Sequence, residues 1–101
     1  MSHKFASGLA IFLLLTSTAS WAADQGATLY KSKCSGCHGA KGEGKPAIKA
    51  PALKGTTMEA SQIADHITKG EPESKAPHNK GISGISDDQA KAIAEYVKTL
   101  K

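Results

Sequence analysis

Two cysteines and the histidine beside them are the residues of this sequence best placed to do chemistry. Cys34-Ser35-Gly36-Cys37-His38 sets both cysteines of the chain three positions apart and follows the second at once with an imidazole. This is the Cys-x-x-Cys-His pattern of covalent haem attachment. Two thiols at that spacing reach the two vinyl groups on one edge of a porphyrin, and the next residue sets its imidazole under the iron. Cys34 and Cys37 are therefore the candidate thioethers, His38 the candidate proximal iron ligand, and one haem c the expected cofactor.

Other chemistries for the same residues ask for more than the sequence offers. A thioredoxin-like dithiol needs a strand before the motif and a helix after it. Here no β-rich segment precedes, and Gly39, Gly42, Gly44 and Pro46 follow. A zinc site needs a fourth ligand and usually a second spaced pair. His66 and His78 are too far apart to form one. A Cys34–Cys37 disulfide closes a tiny strained loop and stabilises little.

The elements that must hold these residues are helical. Asp24 to Lys33 reads as a helix leading into the motif, with Gly26 and Tyr30 on one face. Gly39 to Gly55 is loop, punctuated by glycine and proline. A second helix is expected from about Glu59 to Lys69, with Ala60, Ile63, Ala64 and Ile67 as its apolar face and Gly70 at its end. Glu71 to Ile85 is a second loop. The last helix starts at Ser86, which forms a capping-box pair with Gln89 ahead of Asp87 and Asp88 at the positive end of the dipole. Ala90, Ile93, Ala94, Val97 and Leu100 make its buried stripe. No repeat and no strand of useful length is present.

With these elements in place, residues 23–101 resemble a small class I cytochrome c. The resemblance implies an all-α fold of three main helices and loops around one covalently attached haem. Gly26 and Tyr30, with Ile93 and Tyr96, match the positions where that family packs its terminal helices. Pro51-Ala52-Leu53-Lys54-Gly55 is similar to the family's Pro-x-Leu-x-Gly segment, which implies that the Pro51 carbonyl accepts the Nδ1–H of His38. A plain loop proline is the other reading of Pro51. The family usually takes its sixth ligand, a methionine, from the loop before the last helix. Loop 71–85 has none, and His78 stands there instead, 8 residues before Ser86. The resemblance therefore points to His78 as distal ligand and to bis-histidine iron. Met58 is the fallback, early in the chain for that role. Asn79, with its weak amide oxygen, and His66, read as a partly exposed surface histidine, are further rivals. A solvated His78 beside five-coordinate iron is another.

Composition bounds the function. The chain has 101 residues and a formal charge of +4, enough for one domain. Met1 to Ala22 reads as a cleaved secretory signal: Lys4, an apolar run from Phe5 to Leu15, and Ser20-Trp21-Ala22 as a small-residue cleavage site. Haem attachment of this kind takes place outside the cytoplasm, so a periplasmic location is expected. Residues 23–101 hold only 10 Leu, Ile or Val, too few for an ordinary core, so a cofactor must fill the centre. Lys31 to Lys54 carries six lysines and one acid. A cationic rim suits an acidic redox partner, and a merely solvated surface fits as well. Nucleic-acid binding is disfavoured by the absence of Arg and of an aromatic platform.

The expected function is one-electron transfer by a periplasmic monomer rather than an enzyme, docking on redox proteins and meeting a membrane only through such a partner. Its potential should lie below that of a His/Met cytochrome. A gas-binding haem protein with a labile or absent sixth ligand is the alternative, and a thiol oxidoreductase a more distant one.

Overall fold

The computed structural model describes residues 18–101, with side chains from Asp24 onward. Its elements are α1 (Thr18–Lys33), α2 (Ser35–His38), a 3-10 turn (Pro46–Ile48), α3 (Ala60–Thr68) and α4 (Asp87–Thr99). Among the described residues there is no strand, only an isolated bridge between Lys45 and Ala50. The architecture is all-α, as expected. The haem motif itself forms the short α2, which adds a fourth helix to the three main ones. The apolar run of the expected secretory signal lies outside the described residues. α1 starts upstream of Asp24 because Thr18 to Ala23 contains no glycine or proline to break it, and alanine is the best helix former.

Helix ends follow the side chains that satisfy them. Ser86 Oγ accepts from the Gln89 amide at 3.2 Å, and Gln89 Oε1 accepts from the Ser86 amide at 2.9 Å. Glu59 and Gln62 form the same reciprocal pair at the start of α3. Each pair satisfies two orphan amides, so α3 and α4 begin at fixed points.

α4 packs against α1 on one side and α3 on the other. Tyr30, Ile67, Ala90, Ile93 and Val97 form the core, with Cys34, Leu53, Ile63 and Ile82 packed around it. Gly26 is where α1 and α4 come closest. A Cβ there would run into the Ala92 carbonyl oxygen and lie 3.2 Å from Tyr96 Cβ. The absent side chain is what lets the Tyr30 and Tyr96 rings meet, 5.3 Å between centroids. Burying Tyr30 and Ile93 contributes about 1.5–3 kcal/mol each, and both are 1% exposed.

Candidate functional site

α1 passes its hydrogen bonding directly to α2. The Cys34 amide donates to Tyr30 O at 2.8 Å, and the amides of Cys37 and His38 both donate to Cys34 O, at 3.2 and 3.0 Å. Both cysteines are free thiols. Cys34 is half-buried against the core, and burial, with a smaller contribution from Cys37, pushes its thiol pKa up. Cys37 is exposed.

His38 is 7% exposed and held from three directions. The Gly44 amide donates to its carbonyl at 2.6 Å. Tyr30 Oη donates to the neighbouring Gly39 carbonyl at 2.7 Å. Its own Nδ1 lies 2.8 Å from the Pro51 carbonyl oxygen. A carbonyl only accepts, so Nδ1 carries the proton and Nε2 keeps a free lone pair. The approach of Pro51 depends on Gly44, which has φ +80°. A Cβ there would stand 2.7 Å from the Ala52 nitrogen and 2.9 Å from both Ala50 O and the Pro51 carbonyl carbon. The Pro51 carbonyl thus stands within hydrogen-bond reach of the His38 ring.

His78 comes from the loop before α4, stitched to the end of α3. Its carbonyl accepts from the Glu71 amide at 2.6 Å, and the Ile82 amide donates to Ile67 O at 2.8 Å. Its ring centroid lies 5.8 Å from that of His38, with the planes 41° apart. Two imidazoles ligating one ion from opposite sides, each about 2 Å away, have centroids about 6 Å apart. His78 Nδ1 is buried without a hydrogen-bond partner. Burial first, then the neighbouring His66 and His38, lowers the His78 pKa and favours the neutral imidazole.

Two cavities meet at these residues. One, of about 530 Å³, is lined by Cys34, Cys37, His38, Pro51 and His78, with Lys33, Lys49 and Lys75 at its edge. The other, of about 80 Å³, shares Cys34, His38, His78 and Ile82 and adds Met58, His66 and Ile67. Two thiols, two imidazoles with spare lone pairs and an apolar wall are a donor set that fits a haem. Among the described residues no group of three or more His, Cys, Asp or Glu is arranged to hold a metal ion by itself.

The rival donors divide. Met58 lines the smaller cavity and is 39% exposed. Asn79 is exposed and lines neither cavity. His66 is half-buried and its ring lies beside that of His78, tilted by 43° with centroids 5.1 Å apart. Reading it as a surface histidine misses that contact. The signal for it is the place of His66 between Ile63 and Ile67, at the spacing of one helix face.

The lysines from Lys31 to Lys54 are all exposed. Among the described residues the one ion pair is Lys69–Asp65, at 3.5 Å, outside this group. No helix among them is long and apolar enough to cross a membrane. No curated protein matches the chain. Residues 22–97 match the model of a protein family described as cytochrome C oxidase, cbb3-type, subunit III. The match covers most of the chain and both halves of the site, so the chain belongs to this family of cytochrome c domains, haem-based electron carriers whose c-type haem is covalently bound.

Proposed function

We propose that the chain is an exported carrier that passes single electrons between protein partners, with residues 1–22 as a cleaved signal and 23–101 as the haem domain. The observation that carries this reading is the pair of His38 and His78 rings, 5.8 Å apart beside both thiols. Cys34 and Cys37 anchor the porphyrin edge. His38 is the proximal ligand, with its Nδ1–H donated to the Pro51 carbonyl, which fixes the ring plane and raises its donor strength. His78 is the distal ligand, its Nδ1 unused by the protein.

Haem iron held there supplies one-electron redox chemistry. The protein's part is to keep the two imidazoles neutral and fixed, and to exclude water with Leu53, Ile67, Ile93 and Val97. Fixed ligands keep the structural change between oxidation states small. Exposed lysines around the motif favour an acidic redox partner, with an encounter rate that falls as salt rises. Nothing in this arrangement calls for a substrate bond to be broken.

Oxidised and reduced spectra from the visible to the near-infrared, with electron paramagnetic resonance of the ferric state, test the ligand assignment. Low-spin iron lacking the thioether charge-transfer band is expected, with a potential below that of a His/Met cytochrome. A thioether band would assign Met58 instead, and high-spin iron would remove His78 from the site.

A further inference from the structure

The distal wall holds one imidazole more than two axial ligands require. His66 stands in the last turn of α3 and lines the same cavity as His38 and His78. Its ring touches that of His78, centroids 5.1 Å apart and planes 43° apart. α3 is fixed at its start by the Glu59–Gln62 pair and at its end by the bond from Ile82 to Ile67. His66 is therefore presented by a rigid helix, and His78 by a loop.

We propose that His66 is a reserve axial ligand: when His78 leaves the iron, the His66 imidazole takes the vacated position. The exchange breaks one nitrogen–iron bond and forms another. One neutral imidazole replaces another, so no electron moves and the charge at the iron is unchanged. The displacement required is on the order of the ring separation, within reach of side-chain rotation. Met58 lines the same cavity, but it lies before the first turn of α3 and is 39% exposed. Of the two, His66 alone has a ring paired with that of His78. An imidazole also suits ferric iron better than the soft thioether does. The consequence is a site that stays six-coordinate, and closed to small diatomic gases, when the 71–85 loop opens.

This inference rests on His38 and His78 being the resting ligands, which the spectrum of the unmodified haem protein tests separately. A thioether band in that spectrum would overturn the resting assignment and this inference with it. Given a bis-histidine resting state, the decisive variants are His78→Phe, His66→Phe and the double variant, each haem-loaded and checked for helix content by circular dichroism. His78→Phe should keep low-spin ferric iron without a thioether band. Adding His66→Phe should abolish that spectrum, giving high-spin or thioether-ligated iron. If His66 holds nine-tenths of the sites, ferrous His78→Phe should bind carbon monoxide about tenfold more weakly than the high-spin double variant. High-spin or thioether-ligated iron in His78→Phe, or a low-spin spectrum without a thioether band that survives loss of His66, would overturn the proposal. Should His78→Phe lose its helix signal, His78→Gln, which keeps a polar loop, replaces it in the same measurements, and the same spectra support or overturn the proposal.

Discussion

Replacing Gly44 by alanine should unlatch His38 without touching any residue of the haem motif. Gly44 has φ +80°, and an alanine held in the left-handed region costs about 1–2 kcal/mol. Its Cβ would also stand 2.7–2.9 Å from three backbone atoms of the 50–52 segment. Either the overlap persists, at about 1–3 kcal/mol, or the segment withdraws and the His38–Pro51 hydrogen bond is lost, at about 0.5–1.5 kcal/mol. Gly55 supplies the control: its φ is +71° and a Cβ there meets nothing within 4 Å. Gly55→Ala therefore carries the backbone cost alone. Thermal unfolding of the haem-loaded proteins should place Gly44→Ala roughly 2–24 °C below Gly55→Ala. The potential separates the two further. Donation from Nδ1–H strengthens the imidazole as a donor and favours ferric iron. If withdrawal of Pro51 removes about 0.5–1 kcal/mol of that preference, spectroelectrochemical titration should show a rise of about 20–40 mV for Gly44→Ala and none for Gly55→Ala. Equal melting temperatures and equal potentials in the two variants would refute the latch.

The double variant Cys34→Ala with Cys37→Ala should carry no haem through denaturing electrophoresis, by peroxidase staining, and should melt without a cooperative transition, because so few large apolar residues remain to bury. Gly26→Ala gains about 1 kcal/mol of helix propensity and loses about 1–3 kcal/mol to overlap with α4, so its urea midpoint should fall; a rise would mean that the helix crossing has room for a methyl group. Burial, the largest cause, pushes the Tyr30 phenol up to about 12. Between pH 10 and about 12 the unfolded chain releases this proton and the folded chain keeps it, so folding weakens by up to about 2–3 kcal/mol. Urea midpoints at about pH 9 and about pH 11 should differ less in Tyr30→Phe than in the unmodified protein; identical differences would exonerate Tyr30.

What the sequence exposes and what it hides divide by the range of the interactions. Cys34, Cys37 and His38 are contiguous, so their joint role needs no knowledge of the fold. The Ser86–Gln89 cap and the stripe of α4 are local too, and both are legible. Gly26 and Tyr30 are legible only through resemblance, because nothing within α1 says which helix crosses it. Pro51 likewise needs the family pattern, and the role of Gly44 in admitting it depends on a turn closing from Lys45 to Ala50. The pairing of His66 with His78 is only half legible: the helix face that carries His66 can be read locally, the loop that meets it cannot. It joins a helix to a loop 12 residues on, and it exists only because Gly70 and Gly81 let that loop fold back against α3. The early start of α1 escapes for the opposite reason: helix propagation through Ala22 and Ala23 is a local tendency that the expected cleavage point obscures.

The hydrogen bond from the Glu71 amide to the His78 carbonyl has an evolutionary reading. It closes a small ring of chain around the six residues 72 to 77, of which Glu73 to Pro77 line the larger cavity. Most of them are exposed, and Glu73 and Lys75 stand at the lip of the larger cavity. Side-chain substitutions within 72–77 can remodel the lip while two backbone bonds, from the Glu71 amide to the His78 carbonyl and from the His78 amide to the Lys75 carbonyl, keep the His78 backbone where it is; a change in length would break the second. On the proposed function, partner choice and iron ligation would then fall to different groups of one loop, the side chains of 72–77 for the first and His78 for the second. A lineage adapting to a new redox partner could then recharge this bulb by single substitutions that leave the His78 backbone in place.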